Sequence, residues 1–501
     1  MRRIAVVLAA VIVITACSPD DRIDAEEFRS RTAPESVDGS MVPKIEWQRC
    51  GKFDCGTMLV PLDHFNAEAG EPIELVVRRR RAGDTDKRQG AILLNPGGPG
   101  APGIDMVESQ EAEFPDAVLE KFDLVAWDPR GTGESSHVEC DSDLDYFFAT
   151  DKSPDTEAEI DENIATSKRL AESCARADNA ELLGYLSTTQ TVEDMDWIRR
   201  ALGDDGLTYL GFSYGTYLGI RYAETHPANV RALVLDGPID PGADSAVMTL
   251  QQSVGFERAL AEFFVWCDEH EACQFSAGGD SEAAFARLMA NIDDESLPAE
   301  TNGEQRQLGP GETDLGVAVM LYFGESMYED LAAALAEAVS GDGSMLLTLA
   351  DFYTGRDEAG KYDGSMSAFY SIACLDSTSS TVEQLRESAV ELETAAPFLG
   401  EANAWLGLPC VYWPVPPDPL AAPHAVNLSD SVRILVTATD GDPATPIEWA
   451  RSLSEQIDAP LLVARSDQHT AFTAGDDCVH DAIIGFLVDP DSGASDCSTA
   501  T

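Results

Sequence analysis

Ser213 stands in Gly-Phe-Ser-Tyr-Gly, residues 211–215. A serine between two glycines is either a tight turn or a nucleophile, and its flanks decide which. LTYLGF (207–212) reads as a buried strand and YGTYLGIRYAETH (214–226) as a helix. Gly-x-Ser-x-Gly between strand and helix is the setting of a nucleophile elbow, a turn that strains the serine and exposes its hydroxyl at the carboxyl end of the sheet. Gly211 and Gly215 leave space where side chains would collide.

A serine hydroxyl needs a base, and the base needs an orienting acid. On such a scaffold the acid and then the base follow the serine along the chain. The seven histidines are His64, His137, His226, His270, His424, His469 and His480. Only the last three follow the main helices of the chain's middle. His424 precedes the returning strand, so no acid from that strand comes before it. His480 sits in a helical pattern, CVHDAIIGFLV. His469 follows APLLVARSDQ directly, on the loop after the last strand, where a base belongs. For the acid, RILVTATDGDPATP offers Asp440 and Asp442, and Asp236 ends the earlier run VRALVLD. Asp442 opens Asp-Pro-Ala-Thr-Pro, whose prolines stiffen the turn; position favours it and leaves the other two open.

The oxyanion of acyl transfer needs backbone N–H donors. One is expected from Tyr214, just after the serine, and the other from Gly98 in AILLNPGGPG, a glycine loop after a buried strand. Asp128 and Arg130, in WDPRGTGESS, read as supports for neighbouring loops. Cys267-x-x-His270-x-x-Cys273 has metal-like spacing but no clear fourth ligand. No metal and no cofactor are expected.

The elements that must position these groups follow from apolar runs ending in Gly, Pro or Asp. They are IELVV (73–77), AILLN (91–95), FDLVAW (122–127), LTYLGF, VRALVLD (230–236), RILVTAT (433–439) and APLLVA (459–464). Continuous apolar cores without alternation are the pattern of buried parallel strands. Helical patterns between them predict a doubly wound α/β sheet. The alternation stops between about 240 and 430, where helical runs at 254–269, 281–292, 328–339 and 380–393 come without convincing strands. That segment reads as an inserted helical cap. The acidic stretch near 151–181 reads as helical too.

The chain has 501 residues and carries 33 Lys and Arg against 89 Asp and Glu, a net charge of −56. Such a surface repels nucleic acid. At the start, Arg2 and Arg3 precede an apolar run, Ile4–Ile14, too short to span a bilayer and of signal-peptide length. Ile-Thr-Ala-Cys then looks like a bacterial lipobox, with Cys17 the lipidated first residue of the mature chain. The expected organisation is a lipoprotein signal peptide (1–16), a lipidated flexible tether (17–43), a first core part (44–240), a helical cap (241–430) and a second core part (431–501). Setting Cys17 aside leaves ten cysteines, an even number suited to an oxidising compartment. Local spacing suggests neighbour pairs: Cys50–Cys55, Cys140–Cys174, Cys267–Cys273, Cys374–Cys410 and Cys478–Cys497.

Taken together, CGKFDCGTMLVPLDH, LNPGGPG, WDPRGTGESS, YLGFSYGTYLG, VLDGPIDP, IACLDS, CVYWP and DPATP carry a resemblance across roughly residues 45–497. The chain resembles the exported tripeptidyl aminopeptidases and related serine proteases of actinobacteria, in the prolyl-aminopeptidase branch of the α/β-hydrolases. The resemblance implies an α/β-hydrolase fold with Ser213 as nucleophile, Asp442 as acid, His469 as base and Thr445 fixing the acid loop. It also implies similar cysteine pairs, a free peptide amino terminus as substrate, and an acidic cap residue for the substrate ammonium, with Asp376 and Glu325 as candidates. Two departures touch specificity. Ala101-Pro102-Gly103 stands where the family often has Gly-Ser-Gly, and Gln468 where a glycine often precedes the histidine. An esterase or lipase with the same triad, and a catalytically inactive binding lipoprotein, are the rival readings.

Overall fold

The computed structural model describes residues 43–491 and Cys497, apart from residues 67, 141–142, 276–277, 379, 422 and 429–431. Cys17, the signal peptide and nearly all of the expected tether lie outside the described residues. The strands are β1 (Glu46–Cys50), β2 (Phe53–Val60), β3 (Ile73–Arg80), β4 (Gly90–Asn95), β5 (Phe122–Trp127), β6 (Leu207–Phe212), β7 (Val230–Asp236), β8 (Leu297–Thr301), β9 (Glu304–Leu308), β10 (Ile434–Thr439) and β11 (Leu461–Ala464). Nine of them form one sheet in the order β1-β2-β3-β5-β4-β6-β7-β10-β11. From β5 to β11 every pairing is parallel.

Every residue of β4, β5, β6 and β10 is buried, because helices cover both faces. Side chains alternate between the two layers. Leu93, Val125, Tyr209 and Val436 pack on one face with the helices Thr188–Leu202, Tyr214–Thr225 and Ile447–Ile457. Ile92, Leu94, Leu210 and Leu435 pack on the other with the helix Asp477–Val488. This is the doubly wound sheet that the apolar runs predict.

Three expectations are corrected. β3 is antiparallel to both neighbours rather than part of the parallel set. β1 and β2 extend the sheet where no strand was expected. They lack a continuous aliphatic run and join through a tight turn at Gly51, whose φ is 58°. The segment between β7 and β10 is mostly helical but contains the antiparallel hairpin β8–β9. Asn302 and Gly303 turn that hairpin with φ of 53° and 85°, the left-handed pair that a two-residue hairpin turn requires.

The inserted helices carry their own apolar core, which includes Phe256, Phe263, Phe285, Leu331 and Leu346. The expected helix in the acidic stretch runs Glu157–Ala175, and its Ile160 packs with Leu385, Trp405 and Leu408 of the insertion. All five neighbour disulfides form as the spacing suggests. Among the described residues no helix is long and apolar enough to cross a membrane.

Candidate active site

β6 ends at Phe212 and a helix starts at Tyr214, so the whole change of direction falls on Ser213. Its φ of 53° and ψ of −124° lie in a region that costs a non-glycine residue about 1–3 kcal/mol. Two hydrogen bonds hold it there. The Ser213 N–H donates to the Asp236 carbonyl at 2.9 Å, and its carbonyl accepts from the Thr216 N–H at 2.8 Å. Gly215 is required by close approach: a Cβ there would lie 2.6 Å from Asn95 Oδ1.

The glycine loop after β4 packs against this turn. Gly97 has φ of +92°, and a Cβ on it would sit 3.0 Å from the Tyr214 nitrogen. Gly98 borders the same cavity as Ser213 and Tyr214, about 310 Å³ in volume. Asp128 holds the far end of the loop, accepting from the N–H groups of Gly103 (2.8 Å) and Ile104 (3.0 Å). Arg130 is fully buried and pairs with Asp194 through two contacts of 2.7 Å. Both residues are supports.

Asp442 has no exposed surface. Its carboxylate accepts from the N–H groups of Ala444 (2.9 Å) and Thr445 (2.8 Å) and from the Thr445 hydroxyl (2.9 Å). His469 Nδ1 lies 2.9 and 3.0 Å from its two oxygens. With the Nδ1–H donating to the Asp442 carboxylate, Nε2 remains as the acceptor. Burial alone would raise the Asp442 carboxyl, but His469 and the surrounding donors outweigh it and hold it below its usual range. Burial would likewise lower the His469 imidazole, and the Asp442 carboxylate outweighs that too, leaving it above its ordinary value.

The two other acids have different duties. Asp440 is exposed and accepts from the Ser466 N–H at 3.0 Å, tying two loops together. Asp236 is fully buried. Its oxygens accept from the N–H groups of Ala471 and Phe472, both at 2.8 Å, and from the Thr437 hydroxyl at 2.9 Å. It thus clamps the chain just after His469, where Thr470 is held at φ 70°. Burial pushes its carboxyl up to about 6. Ahead of the histidine, Thr439 donates to the Gln468 carbonyl at 2.6 Å. The His469 N–H donates at 2.8 Å to the carbonyl of Tyr322, a residue of the insertion. The Tyr322 ring stands edge-on to the imidazole at 5.4 Å.

Asp376, the last residue of the helix Ser365–Asp376, borders the Ser213 cavity. It accepts from the Thr188 N–H (2.9 Å), the Thr188 hydroxyl (2.6 Å) and the Tyr214 hydroxyl (3.2 Å). Burial pushes its carboxyl up to about 6. Glu325 goes elsewhere: it is exposed, does not border that cavity, and its N–H donates to Asp467 at 2.7 Å. His480 stacks on Phe472 at 4.8 Å, in the helical position expected for it. Cys267 and Cys273 are joined in a disulfide, and His270 Nδ1 lies 2.7 Å from the Trp266 carbonyl. Sequence reasoning missed Thr188 and Tyr322, because a lone hydroxyl and a main-chain carbonyl leave no spacing signal.

A doubly wound, mostly parallel sheet, a strained serine at a strand–helix elbow and an Asp–His pair on later loops define an α/β hydrolase. Residues 90–290 match the α/β hydrolase fold family, and residues 396–499 match the family described as TAP-like protein. The chain is 32% identical over 480 residues to serine protease Hip1 of Mycobacterium tuberculosis, covering 90% of each chain. It is 32% identical over 467 residues to carboxylesterase B of the same organism, covering 90% of this chain and 88% of that one. It is 29% identical over 483 residues to tripeptidyl aminopeptidase of Streptomyces coelicolor, covering 91% and 86%. The chain belongs to the tripeptidyl aminopeptidase-like family of serine peptidases, which includes the Hip1 type. It is a serine hydrolase of the peptidase kind.

Proposed function

We propose that this peptidase removes short peptides, tripeptides foremost, from free amino termini. Ser213 attacks the scissile carbonyl. His469 Nε2 takes its proton and then gives it to the leaving amine, while Asp442 orients the imidazole. The N–H groups of Gly98 and Tyr214 receive the oxyanion, and water hydrolyses the acyl-enzyme. This chemistry needs no cofactor. The segment 241–430 acts as the cap, which is supported by its supplying Tyr322 to the base and Asp376 to the cavity.

One observation carries the exopeptidase reading. Asp376 faces the Ser213 cavity with only neutral donors on its oxygens, and among the described residues no cationic side chain pairs with it. A substrate ammonium would supply the missing charge. Asp376→Asn should therefore lower kcat/KM for a free tripeptide anilide by about 10- to 100-fold, the worth of one charged hydrogen bond, and leave the N-acetylated analogue unchanged. Equal losses on both substrates would remove Asp376 from that role.

A second reading, ester hydrolysis by the same triad, is favoured by the similarity to a carboxylesterase. Paired tripeptide and ester chromogens separate the two. The five disulfides support export, and the lipobox supports anchoring through Cys17 on the outer face of the membrane. Mass analysis of the mature N-terminus, with and without Cys17→Ala, tests the anchor. No nucleic-acid partner is proposed for a chain of net charge −56.

A further inference from the structure

A second chamber, about 120 Å³, lies between the segment 241–430 and residues 147–152 and borders the Ser213 cavity, sharing Gln252, Tyr322 and Phe369 with it. Its mouth is placed over the chemistry. Tyr322 carries the carbonyl that holds His469, and a Cβ on Gly100 of the glycine loop would meet the Phe369 nitrogen at 2.5 Å. Inside are five more aromatic rings, those of Phe147, Phe148, Phe256, Tyr353 and Tyr370. Such walls offer large apolar area and edge-to-face contacts to another ring.

Two ionisable side chains interrupt these walls, Lys152 and Asp314. Lys152 is committed already: Nζ donates to Asn163 Oδ1 at 3.1 Å and lies 4.3 Å from the Phe147 ring centre. Asp314 is not. Its Oδ1 is buried and has no hydrogen-bond partner among the described residues. A buried acceptor left unbonded is costly unless something arrives to bond it. Burial pushes the Asp314 carboxyl well above its usual range and the Lys152 ammonium down to about 7. The chamber therefore disfavours net charge of either sign, and a neutral donor suits it better than a second cation beside Lys152.

We propose that the chamber is a specificity subsite for a bulky neutral side chain next to the scissile bond, and that tyrosine, with its hydroxyl on Asp314, fits it best. This rests on Ser213 being the nucleophile. The same ring can come from the acyl side of the bond or from the leaving side, so two substrate series are needed. One is tripeptide 4-nitroanilides with Ala, Phe, Tyr or Lys last; the other is tetrapeptides with those residues after the bond to be cut.

In one series Tyr and Phe should exceed Ala in kcat/KM by about tenfold or more, with Lys no better than Ala. Ala318→Phe, which fills the chamber from its wall, should bring Tyr and Phe down to the alanine rate and leave alanine substrates alone. Asp314→Leu should abolish the preference of Tyr over Phe. A flat ranking in both series, a preference for Lys, or equal loss on alanine and tyrosine substrates in Ala318→Phe overturns the subsite. The wild-type ranking decides even where a variant does not fold. No cleavage of any peptide, alanine ones included, overturns the peptidase reading itself and the subsite with it.

Discussion

Replacing Asp236 with asparagine tests whether the loop carrying His469, the proposed base, is held from below. In the native protein one Asp236 oxygen accepts from Ala471 N–H and Thr437 Oγ, and the other from Phe472 N–H. Asparagine keeps one acceptor and turns an NH2 toward a remaining donor, so one hydrogen bond to a charged group is lost. That costs about 1.5–3 kcal/mol. The chain just upstream is already strained, since Thr470 is β-branched and sits at φ 70°. The loss should therefore relax the loop and move the imidazole, rather than merely lower the melting temperature. If all of it falls on the transition state, kcat/KM drops about 10- to 100-fold, at about 1.4 kcal/mol per decade. The assay is kcat/KM on a tripeptide anilide across pH, with thermal unfolding in parallel. A second signature follows from charge. Asp236 is one of the groups raising the His469 imidazole, so the acid limb of the profile should move to lower pH in the variant. Full activity with a lowered melting temperature would show that Asp236 stabilises without positioning, and an unmoved acid limb would refute the electrostatic part.

Three further outcomes follow. The His469 imidazole is raised above 6.5, chiefly by Asp442 acting against burial, so activity should fall on the acid side from above that pH, read from the kcat/KM profile. Asp128, Asp236 and Asp376 are each raised by burial to about 6 from 3.8. Their contribution is whole below 3.8 and is lost as pH rises through about 6, so the melting temperature should rise between about pH 8 and pH 5 while activity declines. At lower pH the depressed Asp442 carboxyl reverses this, its contribution being lost as the group protonates. A melting temperature that falls steadily from pH 8 to pH 5 would contradict that order. Removing the Cys374–Cys410 bridge with a double Ala substitution should cost about 4 kcal/mol by loop closure over 36 residues. Because Asp376 lies two residues beyond Cys374, KM for free-amine peptides should rise more than for N-acetylated ones.

Much of the sheet was legible because parallel strands covered on both faces must be continuously apolar, as AILLN, FDLVAW and LTYLGF are. The elbow at Ser213 was legible because strand, glycines and helix all had to coincide around it. The loop position of His469 was legible from its place in the chain, and position favoured Asp442 over Asp236 before the resemblance strengthened that choice. All three candidate acids end or follow strands of the same sheet, and only the hydrogen bonds show which one meets Nδ1. β1 escaped because EWQRC has few apolar residues and none of its five is fully buried. β8–β9 had a signal in Asn302-Gly303 that the helical surroundings outweighed. The partners of Asp376 were not legible at all. Thr188 lies 188 residues away and meets it only through the fold.

The hydrogen bond from His469 to the Tyr322 carbonyl ties the loop after β11 to the segment between β7 and β10. Were that segment to lift as the proposed cap, it would withdraw this support from the proposed base in the same movement. Exchanging caps among relatives to borrow a new selectivity would transplant the seat of the imidazole as well, and chimeras should be judged first on whether the base still stands upright.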